Sequence, residues 1–391
     1  MSADGATLRS ILAARGARWD ERGALDPRQR QVVSHVTSCR TAALGGRLMG
    51  CDDCGHDERQ YHSCRDRHCP RCQRALSRAW CERQREAVLP VTYHHLVFTL
   101  PSELNGWVGL HPEVLYRIVF GATWTTLKGF GEDPKRLDGQ LGMTAVLHTW
   151  GEALTRHVHL HCLVPGGALG KDGRWHAASE TYLFPVRALS RKFRGHAVAA
   201  LRAAATAGEL DRVTRPGEVA AVLDALMAKD WVVYSAPCPG RAEAVVNYLG
   251  RYTHRIAISD ERIVAASERQ VRFRCKDYRR DGARRTMTLE TDEFIRRYLL
   301  HVLPKGLMRV RHYGFLANRC RRRRLEQIRQ ALKPTGTTPA TTAAADEPAS
   351  KRDGPPERDE PWTACPRCRT GTLVARCRIA PRAARRRVRE R

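Results

Sequence analysis

The chain has 391 residues, of which 42% are hydrophobic, so it is long enough for two or three domains with buried cores. Lysine and arginine outnumber aspartate and glutamate by 68 to 41, and the net charge of +27 makes a polyanion, nucleic acid first, the expected partner. The sequence has no apolar run of about 18 residues and no apolar signal-peptide core. This excludes a membrane protein and predicts a cytoplasmic one, nucleoid-associated when bound to DNA.

Residues 1–90 are predicted to form a zinc-binding domain that contacts DNA. The pairs Cys51/Cys54 and Cys69/Cys72 are separated by 14 residues. Each Cys-x2-Cys turn presents two thiolates to half of a tetrahedron, so we expect one structural Zn²⁺ with all four positions filled by protein. Further candidate ligands lie in the same loop, where they could replace a member or build a second site, or flank it: His56, His62, Cys64 and His68 in the loop, and His35, Cys39 and Cys81 beside it. Nearby arginines are expected to contact DNA: Arg65, Arg67 and Arg71.

Residues 91–308 mix strand and helix patterns in one domain, and this predicts an α+β fold. Apolar patterns indicate strands at residues 92–100, 144–149, 157–164 and 231–235, and a hairpin at 262–273. Amphipathic patterns indicate helices at residues 112–130, 189–207, 218–228, 242–252 and 292–302.

The C-terminal part of the sequence is dominated by charge. Residues 309–333 are predicted to be a basic helical extension, with DNA-contacting side chains at Arg321, Arg322, Arg323 and Arg324. Residues 334–362 have almost nothing to bury and are predicted to be a disordered linker. Residues 363–391 form a basic tail. Its Cys365 and Cys368 have only Cys377 nearby, which we interpret as an incomplete zinc half-site.

Three histidines alternate along one predicted strand, at His157, His159 and His161. Alternate side chains of a strand share a face, so His159 and His161 lie side by side while the residues between them point into a core. We predict these two as metal ligands, with Glu152 on the preceding segment as the third. A mixed imidazole and carboxylate site suits Mg²⁺ or Mn²⁺. The alternative is that the histidines are ordinary buried or surface side chains.

Two tyrosines, Tyr248 and Tyr252, are four residues apart in a predicted helix and therefore share a face. Arg251 and Arg255 surround them, and cations near a phenol lower the cost of its ionised form. The pair is therefore a candidate pair of nucleophiles, with Arg251 and Arg255 as DNA contacts. In the alternative interpretation, the tyrosines are core residues of an amphipathic helix.

The chain resembles the transposases of the insertion-sequence-91 family, which are two-tyrosine members of the His-hydrophobic-His endonuclease superfamily. The resemblance covers roughly residues 35 to 330, and it depends on six segments of the sequence: residues 63–73, 96–101, 147–150, 159–164, 248–255 and 301–306. It implies an α+β nuclease core with a central antiparallel sheet and flanking helices, preceded by a small zinc-binding domain. Glu152 stands where the family is expected to have glutamine.

The resemblance implies a rolling-circle DNA transposase with Tyr248 and Tyr252 as its nucleophiles. Such an enzyme cuts single-stranded DNA at element ends and target with a metal ion, and transfers strands through 5′-phosphotyrosine intermediates. The sequence has no Gly-x4-Gly-Lys-Ser/Thr loop, so unwinding is expected to need a host helicase. One alternative is a plasmid or phage replication initiator or relaxase with the same chemistry. Another is a zinc-dependent DNA-binding regulator without catalysis.

Overall fold

The computed structural model describes residues 5–21, 23, 25–85, 87–213, 217–238, 244–245, 250, 256–277, 282–333 and 364–382. The chain divides into two compact units. The large unit contains residues 1–37 and 64–331, and the small unit contains residues 38–63 and 332–391. The small unit thus combines parts of the chain that the sequence analysis assigned to separate N-terminal and C-terminal domains. The predicted linker at 334–362 lies outside the described residues.

Helices and strands alternate along the whole described chain. The helices are α1 (Leu8–Glu21), α2 (Pro27–Ser38), α3 (Pro70–Arg85), α4 (Asn105–Leu110), α5 (Pro112–Gly131), α6 (Val186–Thr206), α7 (Glu218–Ala228), α8 (Thr291–Leu299) and α9 (Arg321–Ala331). The strands are β1 (Gly46–Cys51), β2 (Asp57–Tyr61), β3 (Tyr93–Thr99), β4 (Gly139–Gln140), β5 (Gly142–Trp150), β6 (Arg156–Pro165), β7 (Gly167–Gly170), β8 (Trp175–Ala177), β9 (Val233–Pro237), β10 (Ile263–Ala266), β11 (Gln270–Asp277), β12 (Ala283–Glu290), β13 (Val310–Gly314) and β14 (Leu373–Ile379).

A five-stranded antiparallel sheet forms the centre of the large unit, in the order β13-β5-β6-β3-β9. Two smaller sheets, β4-β7-β8 and β10-β11-β12, accompany it. The predicted α+β fold with a central antiparallel sheet and flanking helices is confirmed. No helix among the described residues has the length and apolar character needed to cross a bilayer.

One face of the central sheet carries the main hydrophobic core. Leu96 and Phe98 of β3 and Leu160 of β6 are fully buried in one cluster with residues of α5 and α6. The ring of Phe98 packs edge-on against Phe193 of α6, with 5.1 Å between ring centroids. Burying a large apolar side chain stabilises a fold by roughly 1.5–3 kcal/mol, so this face holds the sheet in place and leaves the other face for polar side chains.

The small unit contains a three-stranded antiparallel sheet in the order β14-β1-β2. The middle strand β1 comes from the N-terminal part of the chain, and β14 from the C-terminal part. Gly46 pairs with Tyr61 on one side and with Ile379 on the other. A Cβ atom on Gly46 would lie 2.2 Å from the carbonyl oxygen of Gln60, so only glycine permits this close approach of the strands.

Candidate functional site

Three histidines meet on the face of the central sheet that is opposite the main core. His159 and His161 are alternate residues of β6, and His148 of β5 is paired directly with His159. Paired residues of neighbouring strands share a face, so the register brings the three rings together. One ligand nitrogen from each histidine lies within 4.8 Å of the others. The histidine cluster, as we call these three residues, is a candidate metal centre.

Hydrogen bonds orient two rings of the histidine cluster. Nδ1 of His159 donates to the carbonyl oxygen of His157 at 2.9 Å, so Nε2 of His159 is its ligand atom. Nδ1 of His161 lies 2.8 Å from Nε2 of His95 on β3, and the two rings are stacked. Burial lowers the pKa of His95 to about 4, so His95 is neutral near pH 7. His95 is therefore placed to hold the ring of His161 in a fixed orientation.

The predicted third ligand, Glu152, lies elsewhere. It follows the end of β5, and its carboxylate is 3.6 Å from the guanidinium of Arg262. It does not belong to any cluster of ligand atoms among the described residues. The structure places His148 beside His159 and His161 instead, because the register between β5 and β6 brings His148 opposite His159. The histidine at 148, inside an otherwise apolar strand, was the sequence signal for this residue, but strand register is not visible in a sequence.

The donor atoms of the histidine cluster suit a divalent cation. Three imidazoles on one face would hold the ion and leave other coordination positions for phosphate oxygen and water. Mg²⁺ prefers oxygen ligands, and imidazole affinity is higher for the later divalent metals than for Mg²⁺. A set of three imidazoles would therefore favour Mn²⁺ over Mg²⁺, whereas the sequence predicted a mixed imidazole and carboxylate set.

Tyr248, Tyr252, Arg251 and Arg255 lie outside the described residues. Val245, three residues before Tyr248, packs in a small cluster with Leu163 of β6. Leu163 shares the sheet face of His159 and His161, because it is the next alternate residue along the strand. Gly250, between the two tyrosines, accepts a hydrogen bond from Oγ of Ser77 at 3.1 Å. The described residues that flank the tyrosines thus lie against β6 and α3.

A further tyrosine lies on the same sheet face, and a groove borders the edge strand β13 of this sheet. Tyr234 of β9 is exposed, and its ring centroid lies 6.0 Å from that of His95. A groove of about 810 Å³ is lined by residues including Trp80, Lys305 and His312. His312 belongs to the histidine face, since it pairs with Thr144, which pairs with Leu163. Neither the position of Tyr234 beside His95 nor the groove could be predicted from the sequence, because both depend on the order of the strands in the sheet.

The structure distributes the four predicted zinc ligands over two clusters. Cys69 and Cys72 lie with Cys64 at the start of α3, in the large unit, and the sulfurs of Cys64 and Cys72 are 3.6 Å apart. Cys51 and Cys54 lie with Cys365 and Cys368 in the small unit. The single site predicted from spacing is thus replaced by two groups of thiols. The predicted half-site at Cys365 and Cys368 has partners that lie more than 300 residues earlier in the chain.

Arg67 has a structural contact where the sequence predicted a DNA contact. Its guanidinium donates hydrogen bonds to the carbonyl oxygens of Leu307 and of Pro304, the latter at 2.7 Å. Next to it, Nε2 of His68 accepts a hydrogen bond from the N–H of Leu303 at 3.1 Å, and Nδ1 of His68 is 2.7 Å from Asp66. Two of the segments singled out in the sequence, 63–73 and 301–306, are therefore packed together.

The other predicted DNA contacts differ in exposure. Arg65 is exposed and has a left-handed backbone, with φ of 54°. Arg71, on α3, is half-buried. On α9, Arg322 and Arg323 are exposed and Arg321 and Arg324 are half-buried. The exposed members of this set are available to phosphates.

Comparison with known proteins agrees with this architecture. A family model described as "Transposase zinc-binding domain" matches residues 11–100, and another described as "Putative transposase" matches residues 142–324. The chain is 42% identical over 362 residues to "Putative transposase y4qJ" of Sinorhizobium fredii (strain NBRC 101917 / NGR234), which covers 90% of this chain and 89% of that protein. It is 27% identical over 344 residues to "Transposase for insertion sequence element IS801" of Pseudomonas savastanoi pv. phaseolicola. This match covers 82% of this chain and 78% of that protein. No solved structure matches the chain.

These similarities extend over nearly the whole chain and include both the cysteine-rich segment and the strands of the histidine cluster. The zinc-binding family model and the cysteine clusters support structural zinc. An enzyme of this kind acts on DNA, in keeping with the net charge of +27. The chain belongs to the insertion-sequence-91 family of transposases, with an N-terminal transposase zinc-binding domain.

Proposed function

We propose that this transposase moves DNA by a rolling-circle mechanism, cutting single strands through a covalent tyrosine intermediate. The observation that carries the proposal is the histidine cluster, in which His148, His159 and His161 present ligand nitrogens within 4.8 Å of one another on the face opposite the core. Mn²⁺ or Mg²⁺ bound by these residues would polarise a scissile phosphodiester and stabilise the charge that develops on it.

The nucleophile in this proposal is the hydroxyl of Tyr248 or Tyr252. The chain near Val245 packs against Leu163, the next residue after His161 on the same face of β6. Three residues of chain span at most about 10 Å, so the covalent connection allows Tyr248 to reach the histidine cluster. Arg251 and Arg255 accompany the tyrosines in sequence and would favour the ionised phenol.

The proposed cleavage step conserves the phosphodiester energy in a protein–DNA bond. The phenol oxygen forms a bond to phosphorus while the bond between phosphorus and the 3′ oxygen breaks. The phenol loses its proton and the 3′ oxygen gains one, which leaves a 5′-phosphotyrosine and a free 3′-hydroxyl. A 3′-hydroxyl can then attack the phosphotyrosine and release the enzyme. With two tyrosines, a second strand can be cut before the first is rejoined.

The substrate in this proposal is single-stranded DNA at the element ends and at the target, in the nucleoid. A flipped or unpaired strand gives the nucleophile in-line access to phosphorus, whereas a duplex would have to be opened first. The chain carries no nucleotide-binding loop of the Gly-x4-Gly-Lys-Ser/Thr type, so a host helicase would supply the single strand. The groove beside the histidine face, with Lys305 and His312 in its lining, is a candidate path for the strand.

Capture of a labelled oligonucleotide tests the proposal. The full-length protein is incubated with single-stranded DNA from candidate element ends and Mn²⁺ or Mg²⁺, and denaturing electrophoresis then detects a protein–DNA adduct. We expect the adduct with the native protein and none with the Tyr248→Phe/Tyr252→Phe variant, because only the two hydroxyl groups are removed.

Tyr234→Phe is the matched control, since Tyr234 is an exposed tyrosine on the histidine face but outside the pair. It should form the adduct at the native level. An adduct that persists in the double variant and disappears in Tyr234→Phe would move the nucleophile to β9. An adduct that persists in both would refute tyrosine chemistry at these positions.

A further inference from the structure

Four clustered thiols of the small unit have the spacing of a metal–thiolate tetrahedron. The sulfurs of Cys51 and Cys368 are 3.7 Å apart, and so are those of Cys54 and Cys365. All four sulfurs lie within 4.8 Å of one another. A tetrahedron with Zn–S bonds of about 2.3 Å has edges of about 3.8 Å. A disulfide would instead need about 2.05 Å between sulfurs, so these contacts are those of metal ligands.

Each Cys-x2-Cys turn has one sulfur that accepts a backbone N–H, and the two turns share one backbone feature. The N–H of Cys54 donates to the sulfur of Cys51 at 3.5 Å, and the N–H of Gly371 donates to the sulfur of Cys368 at 3.3 Å. The second cysteine of each turn is followed by a left-handed residue: Gly55, with φ of 69°, and Arg369, with φ of 63°. N–H groups directed at sulfur stabilise thiolates, which are the form that binds zinc.

The segment that follows the Cys365–Cys368 turn is hydrogen-bonded to the Cys51–Cys54 turn. The N–H of Asp52 donates to the carbonyl oxygen of Thr372 at 3.1 Å, and the N–H of Thr372 donates to the carboxylate of Asp52 at 2.7 Å. The hydroxyl of Thr370 donates to Asp53 at 2.6 Å. A Cβ atom on Gly371 would lie 2.5 Å from the sulfur of Cys51, so glycine is needed there.

Among its described residues, the small unit has a small buried apolar cluster. Its buried apolar cluster contains Cys51, Cys365 and Leu373, with Met49 and Cys368 partly buried beside them. A unit with so few buried apolar side chains gains little hydrophobic stabilisation against chain entropy, and a bound metal is a common way to supply the difference. Two of the three buried members of the cluster are themselves cysteines of the proposed tetrahedron. Metal binding would therefore add a major stabilising interaction to this unit.

We propose that Cys51, Cys54, Cys365 and Cys368 bind one structural Zn²⁺, and that this ion fastens the C-terminal segment to β1. The zinc-binding family model ends at residue 100, so it contains only half of this site. Residues 364–382 complete the zinc ribbon, and their strand β14 forms one edge of its sheet. The site is independent of the cleavage chemistry proposed above.

Zinc content and cysteine alkylation of the full-length protein test the site. The Cys365→Ser/Cys368→Ser variant and the Cys51→Ser/Cys54→Ser variant should each contain one zinc per chain less than the native protein. Cys377→Ser is the matched control, because Cys377 is an exposed cysteine of β14 outside the cluster, and it should keep all of its zinc. Equal zinc in the Cys365→Ser/Cys368→Ser variant and the native protein would overturn the proposal.

Alkylation followed by mass spectrometry separates loss of the site from unfolding. In the Cys365→Ser/Cys368→Ser variant, Cys51 and Cys54 should react, while the fully buried Cys162 of the large unit stays protected. In the native protein, a zinc chelator should expose all four cysteines of the site together, and added Zn²⁺ should protect them again. If Cys51 and Cys54 become reactive in the native protein while Cys365 and Cys368 stay protected, the four do not share one ion.

Discussion

The histidine cluster lies on a five-stranded sheet whose other face packs against α5 and α6. The clustered cysteines Cys51, Cys54, Cys365 and Cys368 lie at one end of a three-stranded sheet, beside an apolar cluster with three buried members. The rings of the first site are brought together by strand register and by packing on the opposite face. The thiols of the second come from turns 311 residues apart in the chain, with little packing behind them. The proposed catalytic site is thus preformed by the fold, whereas the proposed structural metal would itself be a large part of what stabilises its unit.

Removing a ligand from the histidine cluster should have the largest effect on activity. We expect His161→Ala to lower the rate of adduct formation by about a thousand-fold, because Lewis-acid catalysis contributes several kcal/mol. Thermal stability and DNA affinity should stay near native, since the core and the basic surface are untouched. His157→Ala is the matched control, because His157 is outside the cluster of ligand atoms and its hydrogen bond to His159 is made by its backbone carbonyl. A variant that loses DNA binding along with cleavage would indicate that the cluster depends on metal for its fold, as the small unit does.

Replacing one buried leucine by alanine in each unit compares how much hydrophobic packing stabilises the two units. Leu201 of α6 is fully buried in the main core, and Leu201→Ala should cost about 2–5 kcal/mol in the free energy of unfolding of the large unit. Leu373→Ala in the small unit should cost less, and excess Zn²⁺ should compensate for it, because ligand binding stabilises the folded form by mass action. Denaturant titrations that follow protection of Cys162 and of Cys365 measure the two units separately. If the two substitutions lower the free energy of unfolding equally, and added Zn²⁺ changes neither value, the two units are stabilised in the same way.

Substitution of His95 tests whether the histidine cluster needs a hydrogen bond to orient its rings, in addition to the packing of the core. We expect His95→Ala to raise the Mn²⁺ concentration for half-maximal adduct formation by about 10–100-fold, because the ring of His161 loses its hydrogen-bond partner. Saturating Mn²⁺ should restore most of the rate, and His95→Gln should lose less than His95→Ala. A rate that stays low at every Mn²⁺ concentration would contradict a positioning role for His95.

The smallest effect is expected from the exposed arginines of α9. Changing Arg322 and Arg323 to glutamine should reduce the slope of log affinity against log salt by about 1.4, since each contact with a single-strand phosphate contributes about 0.7. Arg174→Gln is a matched control, because its side chain is 86% exposed on the turn before β8. Affinity for DNA of any sequence should fall equally. An unchanged slope would mean that α9 presents a solvated face only.

Periodicity in the sequence was sufficient to predict the main helices and strands of the large unit. The alternation of apolar residues predicted β3, β5 and β6 to within two residues at each end, and the amphipathic pattern predicted α5. Both histidines chosen on β6 lie in the cluster, because alternation alone decides which side chains share a strand face. His148 was missed as a partner, since only the pairing of β5 with β6 brings it opposite His159.

The sequence by itself determined the basic character of the protein, its mixed fold, its cysteine motifs and the alternating histidines, because charge, apolar period and local spacing are properties of neighbouring residues. Only the tertiary structure decided which motifs combine. The four cysteines expected to share one ion are divided between two clusters, and Cys365 and Cys368 complete the cluster of Cys51 and Cys54. The physical reason is that a Cys-x2-Cys turn supplies only half of a tetrahedron, and many half-sites are locally equivalent. The partner is selected by the pairing of β1 with β14, a contact across more than 300 residues that no local pattern encodes.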